Sequence, residues 1–363
     1  MANWIPMMTR RTFSSLMSGT VLLGQEVELD WHDALKLTVE GLGFKDLSSP
    51  YDRLPGRAEA LVRKAVWDLS RDPSGVLVRF MANTTAIHAR WTLRNKTLAG
   101  PVMTGTGQSG LDLYARDAAG KWRWRGIGKP TKFPDNSDVL ATGMPPGDRE
   151  YMVYLPLRNP VASLEIGVPK GARIDRGPAR AAGSKPMVFY GTSITHGISA
   201  SRPGMTHVAM LGRQMNREVI NLGFSGNGKM EPEVTQFVAE IDAAVYVLDC
   251  LPNMNAQEVQ ERAEVCVKTL RKARPGTPIL LVEDRNYSDN FLNPLRKERN
   301  ETNHEAMRAV YAKLLKDKVG GLLYLKAEEL LGDDGEATID GSHPTDLGFM
   351  RQAAAFAKVL KGL

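Results

Sequence analysis

The sequence predicts two domains, an antiparallel β-sandwich followed by an α/β domain whose parallel sheet carries helices on both faces. Up to about residue 175, apolar side chains recur at every second position, the period of a strand with one buried face. Beyond about residue 186, short apolar runs alternate with stretches of helical period, the pattern of strand–helix–strand units and a parallel sheet. Between them, residues 171–185 are rich in small and basic residues and read as a linker. The division is therefore 26–170 for the sandwich and 186–363 for the α/β domain.

A chain of 363 residues is long enough for two such cores. Its 42% hydrophobic and 24% charged content places it among ordinary globular proteins. The net charge of +6 is spread over basic residues interleaved with acids, so nucleic acid is not indicated as a partner. Cys250 and Cys266 are too few for a disulfide scaffold, and their apolar and helical surroundings favour buried free thiols over a bridge. The other histidines, His32, His88, His196, His207 and His304, lack metal-ligand spacing, so neither a metal nor a cofactor is called for.

Residues 1–25 read as an export signal. Paired Arg10 and Arg11 precede Phe13 and a short, weakly apolar stretch without acids, which resembles a twin-arginine signal and implies a periplasmic destination. A basic N-terminus on a cytoplasmic protein is the alternative. The stretch is too short to anchor the mature protein in a membrane.

Within the sandwich, alternation marks strands at 76–80, 87–93, 151–155 and 163–168, with turn signals at 72–75, 117–120 and 145–148. A helical stretch at 57–69 interrupts them, and the loop 51–57 before it is a candidate to reach a cleft in the second domain. Trp122 and Trp124 alternate with Arg123 and Arg125, as a plain strand or as a sugar-stacking strip. In the α/β domain the strands fall at 187–190, 219–222, 244–248, 279–282 and 322–325. Helices are expected at 206–216, 231–241, 256–273, 301–317 and 346–360.

The chemistry-bearing residues sit at strand ends. MVFYGTSITHG at 187–197 runs from a buried strand through Gly191 into a tight turn that exposes Ser193 at the carboxyl edge of the sheet, where ligands bind in such folds. Near the end of the chain, DGSHP at 340–344 places Asp340 three residues before His343. A serine needs a base, and the base needs an orienting carboxylate. NLGFSGN at 221–227 and DCLPN at 249–253 lie between them.

These four blocks, in this order, resemble the SGNH (GDSL-like) hydrolases. The resemblance covers roughly the C-terminal half, with two departures: the first block reads GTSI in place of GDSL, and Asn253 follows Leu251-Pro252 in place of a glycine. It implies a flavodoxin-like sheet and a catalytic set of Ser193, Asp340 and His343. It also implies an oxyanion hole of the Ser193 and Gly226 backbone N–H groups and the Asn253 side-chain amide. GLDLY at 110–114 resembles the GxDLY motif of a domain found ahead of SGNH-type esterases, implying a jelly-roll-like sandwich. Asp112 and Tyr114 then serve a strand end and core edge, with ligand contact as the alternative.

Each residue also has a purely structural reading: Gly226 for its turn, Asn253 as the cap of the next helix, Asp340 and His343 as the closure of a loop before Pro344. The expected activity is removal of small acyl groups, acetyl foremost, from carbohydrate hydroxyls through an acyl-enzyme, the carbohydrate part resting on family analogy. A lipase-like or lysophospholipase-like esterase is the alternative, and a catalytically silent glycan-binding protein is the alternative of another class. A small-molecule or glycan ester is the expected partner; the oligomeric state is left open.

Overall fold

The computed structural model describes residues 27–363, so the export-signal reading of 1–25 lies outside the described residues. Ten strands form two antiparallel sheets. β1 (Leu29–Asp33), β9 (Val161–Pro169), β4 (Ile87–Leu93) and β7 (Asp135–Ala141) make one sheet in that order. β10 (Arg173–Arg176), β3 (Leu77–Asn83), β8 (Asp148–Tyr154), β5 (Leu111–Arg116) and β6 (Trp122–Gly128) make the other, with β2 (Thr38–Glu40) also paired to β3. Their facing side chains, among them Val78, Phe80, Trp91, Leu113, Tyr151 and Leu164, fill one core.

The strands with clear alternation are the interior ones, where one face is packed and the other is not. β7 and β10 lie at sheet edges and carry mostly polar residues, so alternation does not reveal them. β10 corrects the linker reading of 171–185: residues 173–176 pair with Phe80 to Asn83 on β3. The expected helix at 57–69 is instead a short 3₁₀ turn, Gly56–Ala60, followed by α1 (Lys64–Ser70), and a single helical turn, α2 (Gly105–Gln108), precedes β5.

The second domain has a five-stranded parallel sheet in the order β12 (Val219–Gly223), β11 (Met187–Gly191), β13 (Val245–Asp249), β14 (Ile279–Val282), β15 (Leu322–Leu325). One face packs on α5 (Pro232–Glu240), α6 (Ala256–Ala273) and α7 (Pro294–Lys316), the other on α4 (His207–Gln214) and α8 (Asp346–Leu360). Burial on both faces explains why β11, β13 and β14 read as continuous apolar runs. α7 starts at Pro294, before the expected 301, because Asn293 caps it and proline is preorganised for the first helical turn. Cys250 and Cys266 are free and buried.

The two domains share structure. Phe44, Leu54, Val62 and Trp67, inside the 26–170 range, join the core of the parallel sheet beside Ile220 and Leu222. The buried Arg53 donates to the carbonyls of Asn221 (2.9 Å) and Gly223 (2.8 Å) at the end of β12, and to Leu69 and Asp72. The 51–57 loop thus braces the sheet edge through Arg53.

Asp72 lies in the same interface, facing Arg158 (3.1 Å) and His196 (3.5 Å), with Arg53 near. Burial raises its carboxyl to about 6, against the lowering pull of the two arginines. The folded protein therefore keeps this proton to higher pH than the unfolded chain, whose aspartates titrate near 3.8. Asp72 then weakens the fold progressively as pH rises from about 3.8 to about 6. The melting temperature of Asp72→Asn, relative to the parent, is expected to climb across that window; a difference independent of pH would place the proton elsewhere.

Candidate active site

β11 is the strand at which the sheet order reverses, with β12 on one side and β13 on the other, so its carboxyl end opens onto a crevice. Ser193 stands there as the first residue of the short helix α3 (Ser193–His196), whose N-cap Thr192 accepts the N–H of Ile194. The loop after β12 brings Gly226 to one flank, and the 3₁₀ turn Leu251–Asn253 after β13 brings Asn253 to the other.

The structure joins Ser193, His343 and Asp340 in one relay. Ser193 Oγ lies 2.9 Å from His343 Nε2, and His343 Nδ1 lies 2.7 Å from Asp340 Oδ2. With the Nδ1 proton on Asp340, Nε2 is left as an acceptor for the serine hydroxyl. Asp340 Oδ1 also accepts the N–H groups of Ser342 (3.0 Å) and His343 (2.8 Å), so the carboxylate shapes the loop as well as orienting the ring. Burial raises the Asp340 carboxyl, but the hydrogen bonds from His343 and Ser342 outweigh it and hold the group below its ordinary range.

The remaining donors converge on the same edge. The N–H of Ser193 opens α3 and has no intrahelical partner. Gly226 has φ +70° in a turn closed by the N–H groups of Asn227 and Gly228 on Phe224 O, and its own N–H finds no acceptor among the described residues. With Oδ1 accepting from Asn227 N (3.0 Å) and Gly228 N (3.2 Å), the Asn253 side chain satisfies its oxygen and turns Nδ2 away from that loop. The reverse orientation offers Nδ2 only a long 3.4 Å contact with Phe224 O. The cap of α6 is Asn255, not Asn253.

A second set of residues, invisible in the motif reading, holds the serine turn from behind. Thr195 donates its hydroxyl to Asp249 Oδ2 (3.0 Å), and the buried Arg285 clamps both oxygens of Asp249. Asn221 donates Nδ2 to Thr195 O (2.7 Å) and to Ser74 Oγ (3.1 Å), while Ser74 donates to His196 O (2.7 Å). His196 itself is buried with Nε2 on Leu157 O (2.8 Å), and so does not border the crevice. Burial drives its imidazole well below the ordinary value. The Asp72-to-Gly75 turn was legible as a turn; its grip on α3 was not.

The GLDLY segment docks the domains. Asp112, fully buried, accepts from Arg202 (2.8 Å), Gly204 N (2.8 Å) and Trp124 Nε1 (3.0 Å), and Tyr114 Oη meets Arg202 at 2.6 Å. Arg202 and Gly204 lie on the loop that follows α3, so Asp112 and Tyr114 do more than finish a strand. Trp122 and Trp124 belong to one strand, β6, and arginine guanidinium groups sit over their rings, Arg116 at 4.4 Å and Arg202 at 5.2 Å.

A hydroxyl bonded to an oriented imidazole, next to donors for a developing oxyanion, is arranged for acyl transfer. Removing one such donor costs about a hundredfold or more, and Asn253→Ala is expected to slow ester turnover by that factor. Unchanged turnover would exclude Asn253.

Residues 184–361 match the GDSL-like Lipase/Acylhydrolase family, and residues 29–174 match the N-terminus of SGNH-hydrolase-type esterases. A chain from Bacteroides ovatus described as a GDSL-like lipase superposes with a TM-score of 0.86 at 35% identity, over 92% of this chain and 98% of that one. A salicylyl-acyltransferase of a tetracycline biosynthetic pathway gives 0.73 at 18% identity, over 92% and 96%. An acetyl xylan esterase from Butyrivibrio proteoclasticus gives 0.56 at 12% identity, over 92% and 98%. Comparison with curated proteins finds no match. On the two-domain match at 35% identity and the two family models together, the chain belongs to the SGNH (GDSL-like) hydrolases and is an SGNH-type esterase.

Proposed function

We propose that this esterase removes small acyl groups, acetyl foremost, from carbohydrate hydroxyls through an acyl-enzyme on Ser193. The observation that carries the chemistry is the relay from Ser193 Oγ to His343 to Asp340. Ser193 Oγ attacks the ester carbonyl carbon and its proton passes to His343 Nε2; Asp340 stabilises the imidazolium. The carbonyl oxygen takes up the negative charge between the N–H groups of Ser193 and Gly226 and the Asn253 amide. Collapse breaks the bond to the alcohol, which leaves with the proton from His343. Water repeats the sequence, releasing the carboxylic acid and restoring the serine.

Two features support a glycan ester as substrate. His343 and Asp340 are 25% and 36% exposed, so the base end of the relay stands at the surface, where a polymer can approach. The fold of both domains also resembles that of an acetyl xylan esterase. Export through the twin-arginine-like segment would place the enzyme among extracytoplasmic glycans.

The test is a fluorophosphonate adduct mapped by peptide mass spectrometry, followed by acetate release from acetylated polysaccharides. Labelling at Ser193 that disappears in His343→Ala, with acetate released, is the expected result. Labelling elsewhere would overturn the mechanism, and labelling without acetate release would overturn the substrate.

A further inference from the structure

Three large apolar side chains stand in water beside the loop that carries Asp340 and His343. Phe291, Leu292 and Leu295 are 77%, 79% and 76% exposed, on the turn between β14 and α7 and on the first residues of α7. Ile339, next to Asp340, is 52% exposed. Single exposed apolar residues are ordinary; three within five residues, where the chain passes from the turn into α7, are not.

This turn is fastened to both halves of the site. Ser288 donates its N–H to Gly341 O at 3.0 Å and its hydroxyl meets Thr338 Oγ1 at 2.7 Å, on either side of Asp340. Further along α7, Arg299 donates to the carbonyls of Pro252 (2.9 Å) and Met254 (3.1 Å), which flank Asn253, and pairs with Asp284 at 2.9 Å. The apolar turn thus borders the crevice, with its nearest attachment on the His343 side. That is the side of the departing alcohol, because His343 must hand its proton to the leaving oxygen while the carbonyl oxygen points to the donors opposite.

We infer that Phe291, Leu292 and Leu295, with Ile339, form the leaving-group subsite, and that the alcohol half of the ester presents an apolar face, as an aryl- or alkyl-substituted sugar does. The inference rests on the esterase reading above and narrows its substrate class. Covering the ring of Phe291 and one leucine removes enough apolar surface from water to discriminate about tenfold between apolar and small alcohols.

The test compares kcat/KM for cyclohexylmethyl acetate and ethyl acetate, whose alcohols are of similar basicity, in the parent and in the double variant Phe291→Ser, Leu292→Ser. The ratio is expected to fall about tenfold, equivalent to about 1.4 kcal/mol. Phe291→Met, which keeps an apolar side chain, should retain the ratio. Ethyl cyclohexylacetate, with the same ring on the acyl side, is the control. An unchanged ratio with Ser193 still labelled by the fluorophosphonate overturns this inference alone, as does a loss confined to the acyl-side ester. So does a parent dimer that the double variant dissolves, which assigns the patch to a second copy. No hydrolysis of any ester and no labelling of Ser193 overturn the esterase mechanism and this inference with it.

Discussion

Ester turnover by Ser193→Ala is expected to fall by about six orders of magnitude, to the residual rate that a preformed oxyanion site alone sustains. In the proposed mechanism the hydroxyl bonded to His343 Nε2 at 2.9 Å supplies the attacking oxygen, and alanine leaves nothing at that position to form an acyl-enzyme. Because serine and imidazole act as a unit, His343→Ala should lose about as much, and the double variant little more. Single-turnover kinetics on an activated acetate ester, with circular dichroism to verify folding, decides the matter. A Ser193→Ala protein within tenfold of the parent would move the nucleophile to another residue.

Asp340→Asn is expected to lower turnover by about four orders of magnitude. Asparagine can still accept the N–H groups of Ser342 and His343, so the loop survives. Its NH₂ end, however, can face Nδ1 and favour the tautomer with the proton on Nε2, where the serine hydroxyl needs an acceptor. The lowered carboxyl has a second consequence. A group whose folded value lies below its unfolded one contributes stability that is present above the unfolded value and is lost as pH falls through the folded one. The variant should therefore lose stability relative to the parent at neutral pH and regain parity in acid. Turnover falling by less than tenfold would show that His343 is oriented by other contacts, such as the loop itself.

How far the site was legible depended on the range of the interaction concerned. Ser193, Gly226 and Asn253 each follow a strand whose apolar run is visible in the chain, and parallel strands place all their carboxyl ends on one edge. Asp340 and His343 are three residues apart and form their contact within one turn. Local order therefore predicted which residues meet. It also led to two errors, the early start of the linker at 171 and the late start of α7, since β10 owes its strand to pairing with β3 and α7 owes its start to the cap at Asn293.

By itself the sequence determined the two-domain architecture, the five parallel strands and the order of the catalytic blocks, because periodicity and turn chemistry act over a few residues. Only the tertiary structure decided what holds the serine turn in place. Arg53, Ser74 and Asp112 reach it or its neighbours from the sandwich, and Arg285 meets Asp249 across the sheet edge. Buried polar groups must find partners, but nothing in the chain says which of many distant carbonyls and carboxylates will be near enough to serve. The same holds for Phe291, Leu292 and Leu295, whose exposure on a turn tied to the Asp340 loop only folding decides.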